Sequence, residues 1–408
     1  MISRTVTLSL SFVCAITLIA CQQLPQRELS SSDVTYAMTA SGADPLDTDR
    51  LASPMWGIDG SGMLATLERR NGRPLQILEL SGGGAHGAFG AGFLAGWAET
   101  GAYPEFDIVT GVSTGALMST FAFLGQPEDL RILEMFYTQI TNKDIFEMRP
   151  ILSIATGTHS LAITEPLKKS IEKMVTLEVL QRVAKQYDNG RRLYVATTNL
   201  DYNHTWVWDL GAIAKQGDDK ALQLYRDVLL AASAVPLFFP PVEIKGHYFI
   251  DGAVRHNLLI VGLMGRSSEQ IARLKTEHSH LSAIENHADV YIINNGRLFN
   301  KPKSVEPTLT DVTRRSLENL VNSSMADRLF YAYLVTRLHG YDFRYVEIPA
   351  DYPMDDNALH FDQKEMSSLF DLGRRLGRMT AFSNTPPPSN EYPIWVRDAL
   401  EKAISGTK

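Results

Sequence analysis

From about residue 73 onward, short apolar runs of strand length alternate with stretches of helical spacing. Residues 76–80, Gln-Ile-Leu-Glu-Leu, form one such run and end in three glycines. Small and aromatic residues fill 88–100, which predicts a buried helix. Residues 106–110 predict a second strand and 114–124 a second helix. Strand, tight loop and helix, twice in succession, predict a parallel sheet with helices packed on it. Strands are also expected at 193–198, 205–208, 248–250, 290–293 and 343–348, with Asp201-Tyr202-Asn203 as the turn between the first two. Helical periodicity marks 222–232, stopped by Pro236, as well as 267–277 and 313–338. A breaker cluster at Pro386–Pro388 precedes an amphipathic stretch at 394–404. No internal repeat and no second compositional block appears, so the reading is one large α/β domain over 73–385 with a tail at 386–408.

The first 72 residues follow different rules. Residues 1–4 carry one positive charge, and 6–20 are mostly apolar, too short a run to span a bilayer comfortably and of the right length for a signal peptide over 1–20. The run ends Leu18-Ile19-Ala20-Cys21, which resembles the bacterial lipobox. Cys21 would then be lipidated and become the new N-terminus, with a plain secretory signal or an uncleaved anchor as the alternatives. Gln22 carries no inner-membrane retention signal, which by resemblance to lipoprotein sorting points to the outer membrane of a bacterial envelope. Residues 21–72, rich in Ser, Asp, Thr, Gly and Pro, read as a lipidated tether and a poorly defined lead-in.

Composition narrows the function. The chain of 408 residues is 44% hydrophobic and 21% charged, a globular composition that excludes collagen, coiled coil and wholesale disorder. With 39 basic against 46 acidic residues, no basic excess exists to neutralise phosphates over a wide surface, so nucleic acid is excluded as a partner. Cys14 and Cys21 are the only cysteines, so the domain has neither a disulfide framework nor a thiolate metal site. No metal or cofactor is expected, and the oligomeric state stays open.

Three glycine-centred motifs carry the chemistry, each at the C-terminal end of an expected strand, the edge at which open parallel sheets bind ligands. The first is Gly82-Gly83-Gly84-Ala85-His86-Gly87. Its glycines allow consecutive N–H groups to face one way beside a helix N-terminus. It also fits a dinucleotide fingerprint, but that fold needs an acidic residue at the end of the next strand, whereas Glu105 and Asp107 lie at its start. The second, Gly111-Val112-Ser113-Thr114-Gly115, joins strand to helix, the context of a nucleophile elbow that projects Ser113 Oγ. A serine hydroxyl needs a base. The third motif, Asp251-Gly252-Ala253, offers one, and His256, His287, His339 and His360 are the alternatives that chain order permits. Few strands precede Ser113, which argues against the α/β-hydrolase order and so against a histidine.

Taken together, these segments resemble the patatin-like phospholipases. The resemblance covers about residues 75–260. It rests on the three motifs and on Ala232-Ser233-Ala234-Val235-Pro236 running to Phe239-Pro240-Pro241, all in the family's order. It implies a three-layer α/β sandwich, a mostly parallel sheet with helices on both faces. It also implies a lipid acyl hydrolase of phospholipase A or lysophospholipase type working through an acyl-serine, with membrane lipid as substrate. Carried across, Ser113 is the nucleophile, Asp251 the base, and the Gly83 and Gly84 N–H groups the oxyanion hole. Two positions depart from the family. His86 stands where an Arg is usual, either assisting the oxyanion or holding the glycine loop, and Leu258 stands where Pro is frequent. A catalytically silent envelope lipoprotein on the same scaffold is the alternative function.

Overall fold

The computed structural model describes residues 52–54, 61–70, 72–150, 160–259, 276–277, 287–298, 304–387 and 402. The signal peptide, Cys21, the expected helix at 267–277 except its last two residues, and most of the tail lie outside the described residues. Among the described residues no helix is long and apolar enough to cross a membrane.

Nine strands form one sheet: β1 (Ala52–Pro54), β2 (Leu75–Leu80), β3 (Ile108–Val112), β4 (Arg192–Asn199), β5 (His204–Asp209), β6 (Val242–Ile244), β7 (His247–Asp251), β8 (Ala288–Asn294) and β9 (Asp342–Glu347). Their order is β1-β5-β4-β3-β2-β8-β9, with β7 pairing β4 and β6 pairing β7. The five strands β4, β3, β2, β8 and β9 are mutually parallel, whereas β1, β5, β6 and β7 pair antiparallel. The expected α/β architecture is therefore what the chain adopts.

Alternation along β2 shows how the layers arise. Leu78 and Leu80 enter the larger core, and Leu75 and Ile77 enter the second, so both faces of the strand are dry. The larger core is covered by α2 (Gly87–Glu99), α3 (Thr114–Leu124) and α5 (Gln363–Arg378), with further helices at Pro127–Gln139, Glu165–Met174, Leu177–Asp188 and Asp219–Ala232. On the second face, Met325, Leu329, Ala332 and Tyr333 of α4 (Leu309–Leu338) pack against β2, β3, β8 and β9. Phe89, Phe93, Trp206 and Trp208 are core residues, in keeping with a packing role.

Several elements lie outside the expected set, and two of them show what holds them. Helix α1 (Ser61–Arg70) lies in the supposed lead-in and has few apolar residues, yet Leu67 is buried and Thr66 Oγ1 donates to Gly190 O at 2.8 Å. Tertiary contacts hold what propensity alone leaves marginal, so the packed unit extends N-terminally of residue 73. Helix α5 carries two glycines inside a charged stretch. They are there for close approach: a Cβ on Gly373 would lie 2.0 Å from Phe89 O, and one on Gly92 of α2 would lie 2.0 Å from Phe370 O.

Candidate active site

The three motifs meet at the C-terminal ends of β2, β3 and β7. Gly82 marks the meeting point: a Cβ there would lie 3.1 Å from Ser113 Cβ and 3.6 Å from Ala253 Cβ.

Ser113 follows β3 directly and caps α3, with φ 54° and ψ −126°, a conformation that L-residues rarely adopt. Such a backbone costs on the order of 1–3 kcal/mol and persists where the surroundings over-determine it. Here they do. A Cβ on Gly111 would sit 2.5 Å from Gly115 O, and one on Gly115 would sit 2.2 Å from Leu80 O, so Gly111 lets the turn close on the start of α3 and Gly115 lets it approach β2. Behind the elbow, the buried Tyr137 hydroxyl contacts Thr114 Oγ1 at 2.5 Å and donates to Thr114 O at 3.1 Å. A Cβ on Gly87, the last glycine of the first motif, would collide with Thr114 Oγ1 at 2.3 Å.

Asp251 ends β7, which is fixed to β4 by strand pairing and by a bond from Thr198 Oγ1 to Asp251 O at 3.1 Å. Gly252 lets the next turn pass against Ala196, whose carbonyl oxygen would be 2.6 Å from a Cβ. The carboxylate accepts from Ala253 N–H at 2.8 Å, and the nearby Ser113 hydroxyl also favours its charged form. It is 2% exposed, and burial raises its pKa to about 7 although both groups pull the other way. Among the described residues, no cation contributes to that balance. A carboxyl that titrates near neutrality beside a serine hydroxyl is suited to exchanging a proton with it.

The glycine loop faces the same space. Ser81 N–H donates to Ile293 O at 3.1 Å, Gly82 N–H to Asn257 Oδ1 at 2.8 Å, and Ala85 N–H to Ala358 O at 2.8 Å. Among the described residues, the Gly83 and Gly84 N–H groups donate to no protein acceptor. These are the two groups that the sequence singles out, at the N-terminal side of α2.

His86 is buried, and its Nε2 lies 2.8 Å from Asp355 O. Burial lowers its pKa despite that bond, so at neutral pH the ring is neutral and its single N–H is spent on a carbonyl. Of the two roles open to it, holding the glycine loop fits and hydrogen bonding to an oxyanion does not. The other histidines have other partners. His256 Nδ1 contacts Thr205 Oγ1 at 2.5 Å, and burial lowers its pKa to about 4. His287 faces Asp342, His360 faces Asp355, and His339 packs on Tyr341. Among the described residues, two groups of His, Asp and Glu have metal-like spacing, His287–Asp289–Asp342 and Asp355–His360–Glu365; neither includes Ser113 or Asp251.

Sequence reasoning missed Asn257, Asn295, Asp355 and Ala358, all of which touch the glycine loop. Asn294-Asn295-Gly296 follows the apolar run of β8, and only the pairing of β8 with β2 brings it to the glycine loop.

Residues 78–264 match the family model of the patatin-like phospholipases. Over that stretch the chain is similar to the patatin-like phospholipases. A relative described as "cGAMP-activated phospholipase", from Escherichia coli (strain TW11681), is 29% identical over 255 residues, 59% of this chain. The chain spans 66% of that relative, just under two thirds of its length. The solved structure of VipD from Legionella pneumophila overlaps 73% of this chain and 67% of its own at 14% identity and a TM-score of 0.33, too low to bear on the fold.

Proposed function

We propose that this protein hydrolyses acyl esters of lipids, as a phospholipase A or lysophospholipase, through Ser113 and Asp251. One observation carries the reading: Ser113, on a strained turn, has its hydroxyl beside the buried Asp251 carboxylate, whose charge no cation among the described residues offsets. The family description and the phospholipase activity in the relative's name support a lipid ester as substrate.

The reaction balances without a cofactor. Ser113 Oγ attacks the ester carbonyl carbon while its proton passes to Asp251. The carbonyl oxygen takes up the negative charge and is met by the Gly83 and Gly84 N–H groups. Collapse of the tetrahedral intermediate breaks the ester C–O bond, and protonated Asp251 returns the proton to the departing alcohol. Asp251 then takes a proton from water, which attacks the acyl-serine; the fatty acid leaves and Ser113 recovers its proton. Loss of one oxyanion donor costs about 10²–10³ in rate in well-studied cases, so the glycine loop ranks close to the pair itself.

Vesicles of phospholipid and of lysophospholipid, assayed with wild type and Ser113→Ala, test the reading. Release of fatty acid by wild type alone supports it. Equal release by both, or release by neither, overturns it; the second result is that expected of a silent scaffold.

Membrane placement is proposed to rest on lipidation of Cys21, on the strength of the Leu18-Ile19-Ala20-Cys21 sequence. Dual acylation gives stable anchoring where one chain does not. Labelled palmitate should enter the wild-type chain in a bacterial host and be lost in Cys21→Ser; incorporation into Cys21→Ser contradicts the assignment.

A further inference from the structure

We infer that Asn257 is a positioning residue of the oxyanion hole, working with Asn295 to aim the glycine loop. The inference rests on the acyl hydrolase reading above and adds to it two side chains that none of the three motifs contains.

Asn257 lies six positions after Asp251, on the turn that leaves the carboxylate. That turn is rigid: Ala253 N–H donates to Asp251 Oδ1 at 2.8 Å, and the N–H groups of Arg255 and His256 both donate to Gly252 O, at 3.1 and 2.9 Å. It delivers the buried Asn257 side chain to Gly82, whose N–H it accepts at 2.8 Å. Asn295 approaches from the other side, at the end of β8. It is fully buried; its N–H donates to Ser81 Oγ at 2.9 Å, and its Nδ2 donates to Ser81 O at 2.8 Å. Its backbone carbonyl lies so close to Gly83 that a Cβ there would be 2.0 Å away.

Glycines have no side chains to limit their backbone, so a run of them needs outside bonds to adopt one conformation. The two asparagines supply them at successive residues. Asn295 holds the Ser81 peptide, and Asn257 turns the Gly82 N–H away from the reacting space. The next two N–H groups, of Gly83 and Gly84, are the ones left without a protein acceptor. Because Asn257 and Asp251 share a turn, the base and the hole are set by one piece of backbone. Asn295 lies outside residues 78–264, so the chain beyond the matched domain also shapes the hole.

The test uses the full-length protein with a short-chain aryl ester, a trifluoromethyl ketone that forms a tetrahedral adduct, and a fluorophosphonate probe. Asn257→Ala should lower kcat by about 10- to 100-fold with KM changed less than about twofold, somewhat below the effect of deleting a donor outright. The ketone Ki should weaken by the same factor as kcat/KM, a proportionality that a general loosening of the fold does not produce. Asn257→Asp, which keeps the accepting oxygen, should recover at least about tenfold of the loss. Unchanged kcat and Ki in Asn257→Ala, a rise in KM alone, or an Asp variant no better than Ala would each overturn the inference. If Asn257→Ala does not fold, Asn257→Asp and Asn295→Asp carry the test. The first should stay near wild type, while the second, which lacks the Nδ2 donor, should lose kcat and ketone affinity together; the reverse order overturns the inference. A wild type that neither hydrolyses nor labels instead overturns the hydrolase reading beneath it.

Discussion

The two ends of the sheet treat their buried carboxylates in opposite ways. At the N-terminal edge, the fully buried Asp107 accepts from Arg73 at 2.6 and 2.8 Å, from Arg69 at 2.5 Å and from Gln76 N–H at 2.9 Å. Nearby, Asp289 is bonded by Arg344 and by Gln76 Nε2, both at 2.6 Å; burial pulls its pKa upward, but these bonds outweigh it and hold the carboxyl below its usual range. At the C-terminal edge, Asp251 is as deeply buried, and the groups that oppose its burial are a hydroxyl and a peptide N–H. The first edge joins strand starts to a helix and is neutralised. The second leaves a carboxyl whose proton is easily exchanged, next to a serine on a strained turn. Burial by itself does not mark a functional acid; burial without a cation does.

Substitutions at the two edges separate these roles. Ser113→Ala and Asp251→Asn should each lower kcat by at least about 10³-fold while the protein stays folded, since either removes half of a unit. Steady-state hydrolysis of an aryl ester, with circular dichroism of each variant, checks it. Gly84→Ala should cost about 10²-fold, because the new Cβ would lie 2.1 Å from Ala358 O on a residue at φ 54° and so displace the loop. Labelling of Ser113 should survive in that variant at a reduced rate.

The pH dependence sharpens the contrast. Asp251 must be ionised to accept the serine proton, so kcat/KM should rise as pH rises and level off above about 7, where its carboxyl titrates. Asp289→Asn should leave that midpoint in place. Asp107→Asn should leave kcat unchanged and cost about 2 kcal/mol of stability, less than the ~3–5 kcal/mol of a fully buried pair because Arg73 still reaches water. Denaturant unfolding measures this.

The smallest effect has the opposite sign. An acid whose folded pKa is raised from 3.8 to about 7 adds stability at low pH that is lost as pH rises through that interval. Asp251→Asn should therefore melt higher than wild type at pH 8, by about 2 °C for each kcal/mol recovered, with a smaller gap at pH 5. Such a variant would be dead yet more stable.

Much of this site is legible in the chain because it is local. Gly111 and Gly115 flank Ser113, Gly252 follows Asp251, and the strands before them are continuous apolar runs, so motif and element are read together. Phe106–Thr110 was expected as a strand and Ile108–Val112 is one, a shift of two residues that leaves the elbow unaffected. What was hidden is whatever depends on distant pairing. Asn257 and Asn295 are ordinary polar residues until β8 is seen beside β2 and the turn after β7 beside Gly82. His86 was open between two roles because only burial and the Asp355 carbonyl decide its proton. Helix α5 has a clear apolar face, Met366, Leu369, Phe370 and Leu372, that the expected elements did not include; what only the structure explains is its glycines, against which the backbone of α2 lies.

The most direct test is the pH dependence of covalent labelling. Full-length protein is reacted with a fluorophosphonate across pH 5–9, and the modified residue is mapped by mass spectrometry. The account predicts a single adduct on Ser113, absent from Ser113→Ala, whose rate of formation climbs with pH and reaches half its maximum near pH 7. An adduct that persists in Ser113→Ala, or a rate on Ser113 that does not change across this range, would contradict the claim that Asp251 is its base.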